Sequence, residues 1–335
     1  MSGIFHGGGI AAAARAYGIA AADWLDLSTG INPVAPTMPV LDPQLFHRLP
    51  DADLSHEARR EAALFYGSGD VLPIAAAGTQ PLIRMLAAKA DKADRGGVAI
   101  LSPTYGEYRA VFSAAGHSVD EVATLSDVTA EHHVVVVVNP NNPDGRRYSR
   151  ADLLALSLDL AERGAMLIVD EAFGEMHPEA SLAGVVAHHP HLVVLKSFGK
   201  FFGFAGVRLS FAIAGEDHAA ALEAGLGPWP VCGPALALAR HCFDLDAETI
   251  RQDIRSRAEG LQDVLSGAGL RVAANAGLFL LVEEPEAGAL HAHLCRHAIL
   301  TRIFDYRTNW MRIGLPADPA GLDRLTSVLN AWSKR

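Results

Sequence analysis

The sequence predicts an α/β fold, with a mainly parallel sheet in a large domain and a small α+β domain after it. Two observations predict it. Runs such as Val134-Val135-Val136-Val137-Val138 are apolar at every position, as expected when helices cover both faces of a sheet. Such runs also alternate with amphipathic helical stretches between about residues 73 and 213, the rhythm of strands joined by helical crossovers.

Before residue 70 the chain is turn-rich, with Gly7 to Gly9, Asn32-Pro33, Pro36, Pro39, Pro43 and Pro50 interrupting short helical patches. It reads as an N-terminal arm, in which the alanine-rich Ala11 to Ala22 forms a docking helix. The elements that follow are a helix over 81–89, a strand over 98–101, a helix over 107–115 and a strand over 133–138. Next come a helix over 150–163 and strands over 166–169, 192–195 and 207–213. Beyond the break at Gly225-Leu226-Gly227-Pro228-Trp229-Pro230, one long helical region over 234–266 leads to a strand over 278–282, a helix over 287–297, a strand over 310–313 and a closing helix over 319–332. The expected organisation is an arm over 1–50, a large domain over 51–230 and a small domain over 231–335.

A chain of 335 residues, 50% hydrophobic and 20% charged, buries an ample core and is ordinary for a globular enzyme. A formal charge of −10 argues against nucleic acid or an anionic membrane as partner, since both call for basic patches. Cys232, Cys242 and Cys295 are too scattered for a disulfide framework or a zinc ribbon, so a reducing cytoplasm is expected. Met1 to Phe5 shows no basic region followed by an apolar stretch, which predicts no secretory signal. His291, His293, Cys295 and His297 do not make a metal site, because on a helix only i, i+4 pairs face together and no carboxylate completes a set.

The chemistry gathers at strand ends, where open α/β sheets bind ligands. Lys200 lies in Ser197-Phe198-Gly199-Lys200, and Asp170 ends a hydrophobic run thirty residues upstream. Pyridoxal 5'-phosphate needs an amine to condense with its aldehyde, a carboxylate to keep its pyridine nitrogen protonated, and a cation with hydroxyls for its phosphate. Lys200, Asp170, Arg208 and Ser197 supply these in a consistent order. Gly78-Thr79-Gln80 opens a helix and offers backbone N–H groups to a phosphate. Taken singly, Asn139 to Gly145 is a turn, Asp170-Glu171 a magnesium pair and Lys200 a surface lysine; the joint spacing is what points to the cofactor.

Asn142-Pro143-x-Gly145, Asp170-Glu171-Ala172 and Ser197-x-x-Lys200 with Arg208 together resemble the fold-type I pyridoxal-phosphate enzymes of the aspartate and histidinol-phosphate aminotransferase group. A narrower resemblance comes from His6-Gly7-Gly8 and Asp26-Leu27-Ser28-Thr29-Gly30-Ile31-Asn32-Pro33, which are similar to the threonine-phosphate decarboxylases of cobalamin biosynthesis. Gly78-Thr79-Gln80 and Ser102-Pro103-Thr104-Tyr105-Gly106-Glu107-Tyr108 also look like that branch. The resemblance implies that Lys200 anchors the cofactor covalently, Asp170 pairs with the pyridinium, Asn142 binds the phenolic oxygen and Tyr105 stacks on the ring. It further implies that Thr79, Gln80, Ser197 and Arg208 hold the cofactor phosphate, Arg312 the substrate α-carboxylate, and His6, Asn32 and Arg302 the substrate's own phosphate.

The implied reaction is decarboxylation of O-phospho-L-threonine to (R)-1-aminopropan-2-yl phosphate, in a cytoplasmic homodimer. A decarboxylase must hold the carboxylate out of the ring plane, whereas an aminotransferase presents the Cα–H bond there. Two alternatives stand beside it: an aminotransferase for a phosphorylated amino acid such as histidinol phosphate, and a non-catalytic cofactor-binding protein. Four positions depart from the family pattern, one of them Asp144, which stands where relatives carry Thr. Phe173 and Leu49 stand where relatives carry tyrosines, the second of which reaches the partner subunit's cofactor phosphate, and Gly199 stands where Ser or Thr is frequent.

Overall fold

The computed structural model describes residues 7–90 and 97–332. Its strands are β1 (Leu25–Asp26), β2 (Ile74–Ala76), β3 (Gly97–Leu101), β4 (Val119–Val122), β5 (His132–Val138), β6 (Met166–Asp170), β7 (Leu192–Ser197), β8 (Ser210–Ala214), β9 (Arg271–Asn275), β10 (Phe279–Glu283), β11 (Ile299–Leu300), β12 (Arg302–Phe304) and β13 (Arg307–Gly314). Two compact units divide the chain. The larger comprises Ala35–Asn142 and Arg146–Ala247; the smaller comprises the chain up to Val34, Pro143–Gly145 and Glu248 onward.

The larger unit is built on a seven-stranded sheet in the order β2-β8-β7-β6-β5-β3-β4. Strands β7, β6, β5, β3 and β4 run parallel, and β8 runs antiparallel to both β7 and β2. Val134, Val136, Ile168 and Val193 are buried with Leu82, Ile83 and Leu86 of helix Thr79–Lys89 and with Tyr108 and Phe112 of helix Glu107–Ala114. Because the central strands are parallel, the ends of β3, β5, β6 and β7 and the residues that follow them share one edge of the sheet. The α/β class expected from the valine runs is the class observed.

Several expected elements differ. Helix Ala52–Tyr66 occupies part of the stretch read as irregular: Asp51 caps it by accepting from the Leu54 N–H at 2.8 Å, and Gly67 ends it with φ of 68°. Its buried stripe is Ala58, Ala62, Ala63 and Tyr66, so the apolar periodicity that announces a helix is muted. It packs on helix Gly233–Phe243, with Arg240 pairing to Glu57 and Glu61 at 2.7 and 3.0 Å. Both elements lie within the larger unit. The expected strand over 207–213 begins only at Ser210, because Ala205–Val207 is a 3-10 turn and Arg208 is left-handed, with φ of 57°. The long helical region is two helices, Gly233–Phe243 and Ala247–Gly267.

The smaller unit carries a four-stranded antiparallel sheet, β12-β13-β10-β9, and the parallel pair β1–β11. Helix Ile10–Tyr17 and Trp24 pack with Cys295, Ala298 and Leu300 in a small core of this unit. No helix among the described residues is long and apolar enough to cross a membrane.

Candidate active site

Asp170 closes β6 and is buried at 3% exposure. Its Oδ2 accepts from the Tyr108 hydroxyl at 2.8 Å and its Oδ1 from the Ala172 N–H at 3.0 Å. Burial lifts its carboxyl above the ordinary range, while the two hydrogen bonds and the charge of Lys200 pull the other way. Lys200 sits one turn beyond the end of β7, with its Nζ 5.9 Å from the centre of the Phe173 ring. Phe173 is buried and gives the amine an aromatic face where a tyrosine would give a hydroxyl. Gly199 is explained by packing: a Cβ there would lie 2.6 Å from the Ala205 Cα.

A second lysine four residues earlier is held quite differently. Lys196 Nζ lies 2.6 Å from Glu171 Oε2 and 3.8 Å from Glu175 Oε1, with 3% of its side chain exposed. Burial alone would depress its pKa, but the two carboxylates outweigh that and raise it. A lysine locked as ammonium cannot condense with an aldehyde, so Lys200 is the one suited to it. Glu171 also accepts from Ser181 Oγ at 2.6 Å and the Leu182 N–H at 2.8 Å. The second acid of the Asp170-Glu171 pair therefore serves a buried ion cluster, and the magnesium reading of that pair falls away.

Around the phosphate-binding candidates, Gly78 caps helix Thr79–Lys89 with φ of 89°, and no side chain caps that end. A side chain at Gly78 would be strained by that φ and would land on the Arg208 guanidinium. Glycine thus leaves room for the guanidinium beside the helix's first N–H groups, a ready anion cradle. The left-handed backbone of Arg208, uncommon for a residue with a side chain, belongs to this arrangement. Gln80 Nε2 donates to the Tyr105 hydroxyl at 3.0 Å, and Gln80 Oε1 is buried without a hydrogen-bond partner.

The loop bearing Asn142 is braced from two sides. Asn139 accepts from the Tyr148 N–H at 2.9 Å and donates to the Tyr148 carbonyl at 3.2 Å, closing the loop across its base. Asn141 donates to the Pro103 carbonyl at 2.8 Å and accepts from Thr104 Oγ1, tying this loop to the one that carries Tyr105. Asn142 and Tyr105 are half-buried. Lys200, Asp170, Arg208, Thr79, Gln80, Tyr105, Asn142 and Ser197 therefore all belong to the larger unit, around the edge where the parallel strands end. Amine, carboxylate, guanidinium and uncapped helix terminus match what pyridoxal 5'-phosphate requires, and the cradle at Gly78 fits its phosphate.

In the smaller unit, Arg302 and Arg312 face each other as register partners on β12 and β13. Arg312 is buried, donates from Nη2 to the Ser28 carbonyl at 2.7 Å and stacks 5.1 Å from the Phe279 ring centre. Burial, aided by the charge of Arg302, pushes its pKa down to about 10. Two guanidiniums set side by side in a poorly hydrated place make a site that favours anions. The Asp26–Pro33 motif shapes this corner: Ser28 donates to Asp26 Oδ1 at 2.5 Å and accepts from the Gly8 N–H at 2.7 Å, which fixes the carbonyl that Arg312 grips. Asn32 is buried, and its Oδ1 closes a turn with the Val34 N–H at 3.0 Å. His6 lies outside the described residues.

Sequence reasoning missed Tyr108 as the donor to Asp170 and Lys196 as the partner of Glu171. Tyr108 ends the Ser102–Tyr108 motif, but nothing in spacing says which strand end its hydroxyl meets.

The family model for aminotransferase class I and II matches residues 22–329. A threonine-phosphate decarboxylase of Sinorhizobium sp. is 48% identical over 97% of both chains. A threonine-phosphate decarboxylase of Pseudomonas aeruginosa is 42% identical over 97% of this chain and 96% of its own. Among solved structures, a histidinol-phosphate aminotransferase from Sinorhizobium meliloti in complex with pyridoxal-5'-phosphate shares the fold, with a TM-score of 0.79, 20% identity and coverage of 99% of this chain and 96% of its own. The chain belongs to the aminotransferase class I and II family and, within it, to the threonine-phosphate decarboxylases.

Proposed function

We propose that this protein is a pyridoxal 5'-phosphate-dependent lyase that decarboxylates O-phospho-L-threonine to (R)-1-aminopropan-2-yl phosphate, a step that supplies cobalamin biosynthesis. The observation that carries the reading is the 48% identity, over nearly the full length of both chains, to a threonine-phosphate decarboxylase. The bound cofactor supplies an electron sink for the pair released when the carboxylate leaves.

The chain's own residues are assigned the following work. Lys200 would hold the cofactor covalently until the substrate amine displaces it, and the freed amine or a bound water would return a proton to Cα once carbon dioxide has left. Asp170 keeps a negative charge beside the ring nitrogen, Asn142 donates to the phenolic oxygen and Tyr105 covers one ring face. Thr79, Gln80, Ser197 and Arg208 bind the cofactor phosphate. Arg312 takes the substrate carboxylate as a fork and Arg302 its phosphate, with His6 and Asn32 assigned beside it. The paired guanidiniums of β12 and β13 support a substrate with two anionic groups, which phosphothreonine has.

Incubating the cofactor-loaded protein with phosphothreonine and weighing the product tests the reading. Carbon dioxide and aminopropanol phosphate are expected; glutamate formed from 2-oxoglutarate without carbon dioxide release would overturn it in favour of transamination.

We also assign a cytoplasmic homodimer. Met38, Val40, Phe46, Leu49 and Trp229, all of the larger unit, are well exposed, and four of the five fall in one stretch of twelve residues. Such a concentration of large apolar side chains suits a subunit contact. Leu49, where relatives carry a tyrosine, is 65% exposed, as an interface leucine in an isolated chain would be. The three cysteines are free thiols, in keeping with a reducing compartment. Sedimentation equilibrium is expected to give twice the chain mass, and a concentration-independent monomer would contradict the assignment.

A further inference from the structure

We propose that Tyr108 is a positioning residue that holds the Asp170 carboxylate aimed and charged toward the ring nitrogen of pyridoxal 5'-phosphate, so that the strength of the electron sink depends on this hydroxyl. The inference rests on the reading of Asp170 as the cofactor's carboxylate. It adds a residue that does not touch the cofactor and acts through the one that does.

The geometry is specific. Tyr108 and Asp170 are both buried, at 0% and 3% exposure. Each carboxylate oxygen takes one donor: Oδ2 the Tyr108 hydroxyl at 2.8 Å, and Oδ1 the Ala172 N–H at 3.0 Å. The two donors come from different elements, helix Glu107–Ala114 and the chain just past β6, so the carboxylate cannot rotate without losing one of them. A carboxylate accepts about four hydrogen bonds in all, so two tethers leave lone pairs for a ring N–H.

Packing alone does not call for the hydroxyl. The Tyr108 ring lies in the core among Leu82, Ile100 and Val136, where phenylalanine would fill the same space without burying a polar group. Tyr108 also stands three residues after Tyr105 on the same turn, its N–H donating to the Tyr105 carbonyl at 3.3 Å and the two rings 6.3 Å apart, edge to face. The turn that leads into this helix thus carries both the residue assigned to cover the ring and the tether of the residue assigned to charge it.

The sign of the effect follows from the direction of the bond. The hydroxyl donates, which stabilises the anion and makes Asp170 a weaker base. A weaker base leaves the shared proton on the ring nitrogen, where its positive charge draws electrons from Cα. Removing the donor makes Asp170 more basic and moves the proton toward the carboxylate.

The test is Tyr108→Phe loaded with cofactor labelled with nitrogen-15 in the ring. Its nitrogen resonance is expected to move toward the neutral-pyridine position. The kcat for phosphothreonine should fall about ten- to a hundredfold, as for loss of a hydrogen bond to a buried charge, with KM changed less than about twofold. A second variant carrying 4-aminophenylalanine at position 108 keeps the shape with a weaker donor, and should move the resonance part of the way even if the phenylalanine protein folds poorly. Unchanged ring-nitrogen resonances in these proteins overturn the proposal. A parent protein that forms no yellow adduct would instead defeat the cofactor reading itself, so the two failures are distinguishable.

Discussion

Replacing Asp170 by alanine is expected to lower the rate of carbon dioxide release from phosphothreonine by about 10²- to 10⁴-fold, the kinetic equivalent of losing one partner of a buried charge pair worth about 3–5 kcal/mol. Asp170 is placed for this by the end of β6, buried at 3% exposure and held by two donors. Steady-state rates of cofactor-saturated protein check the prediction. A loss in kcat with nearly unchanged KM is expected, because the carboxylate acts on charge that develops as the bond breaks. A variant within a few-fold of the parent would remove Asp170 from the chemistry.

The largest expected effect on stability concerns Lys196, the partner of Glu171, which follows Asp170 in the chain. Lys196→Ala leaves the Glu171 and Glu175 carboxylates buried without the ammonium that stands 2.6 and 3.8 Å from them. Breaking such a group costs about 3–5 kcal/mol, because one side keeps its desolvation cost and loses its compensation. The Lys196 ammonium also lies 5.2 Å from the Tyr66 ring centre, so helix Ala52–Tyr66 loses a contact as well. Urea unfolding of the variant should show a midpoint far below the parent's. A shift equivalent to less than about 1 kcal/mol, the range of exposed pairs, would mean the cluster is not the buried unit described.

These two neighbours show what the sequence makes legible. Asp170-Glu171 can be read as a pair of acids at a strand end, but the alternation of strand residues does not say that one acid meets Tyr108 and the other Lys196. Those partners come from elsewhere in the chain and are brought together only by the order β5-β6-β7 and by the turn after β6. The valine strands and the helices expected over 81–89 and 107–115, observed over 79–89 and 107–114, are readable because apolar burial is a local signal. Helix Ala52–Tyr66 is not, because its buried stripe is mostly alanine and its surface is dense with charge. The motif assigns Arg208 to the phosphate set and hydropathy puts it in a strand; its left-handed φ of 57° belongs to the turn that brings its guanidinium beside Gly78, which no periodicity reports. In the smaller unit, the pairing of Arg302 with Arg312 depends on the β12–β13 register and was equally hidden.

The most direct measurement is chemical. Protein loaded with pyridoxal 5'-phosphate is reduced with borohydride, digested and mapped by mass spectrometry. A yellow absorbance that disappears on reduction, with the adduct on the peptide containing Lys200, is the predicted result. An adduct on Lys196 or on any other lysine, or a protein that never turns yellow, would contradict it.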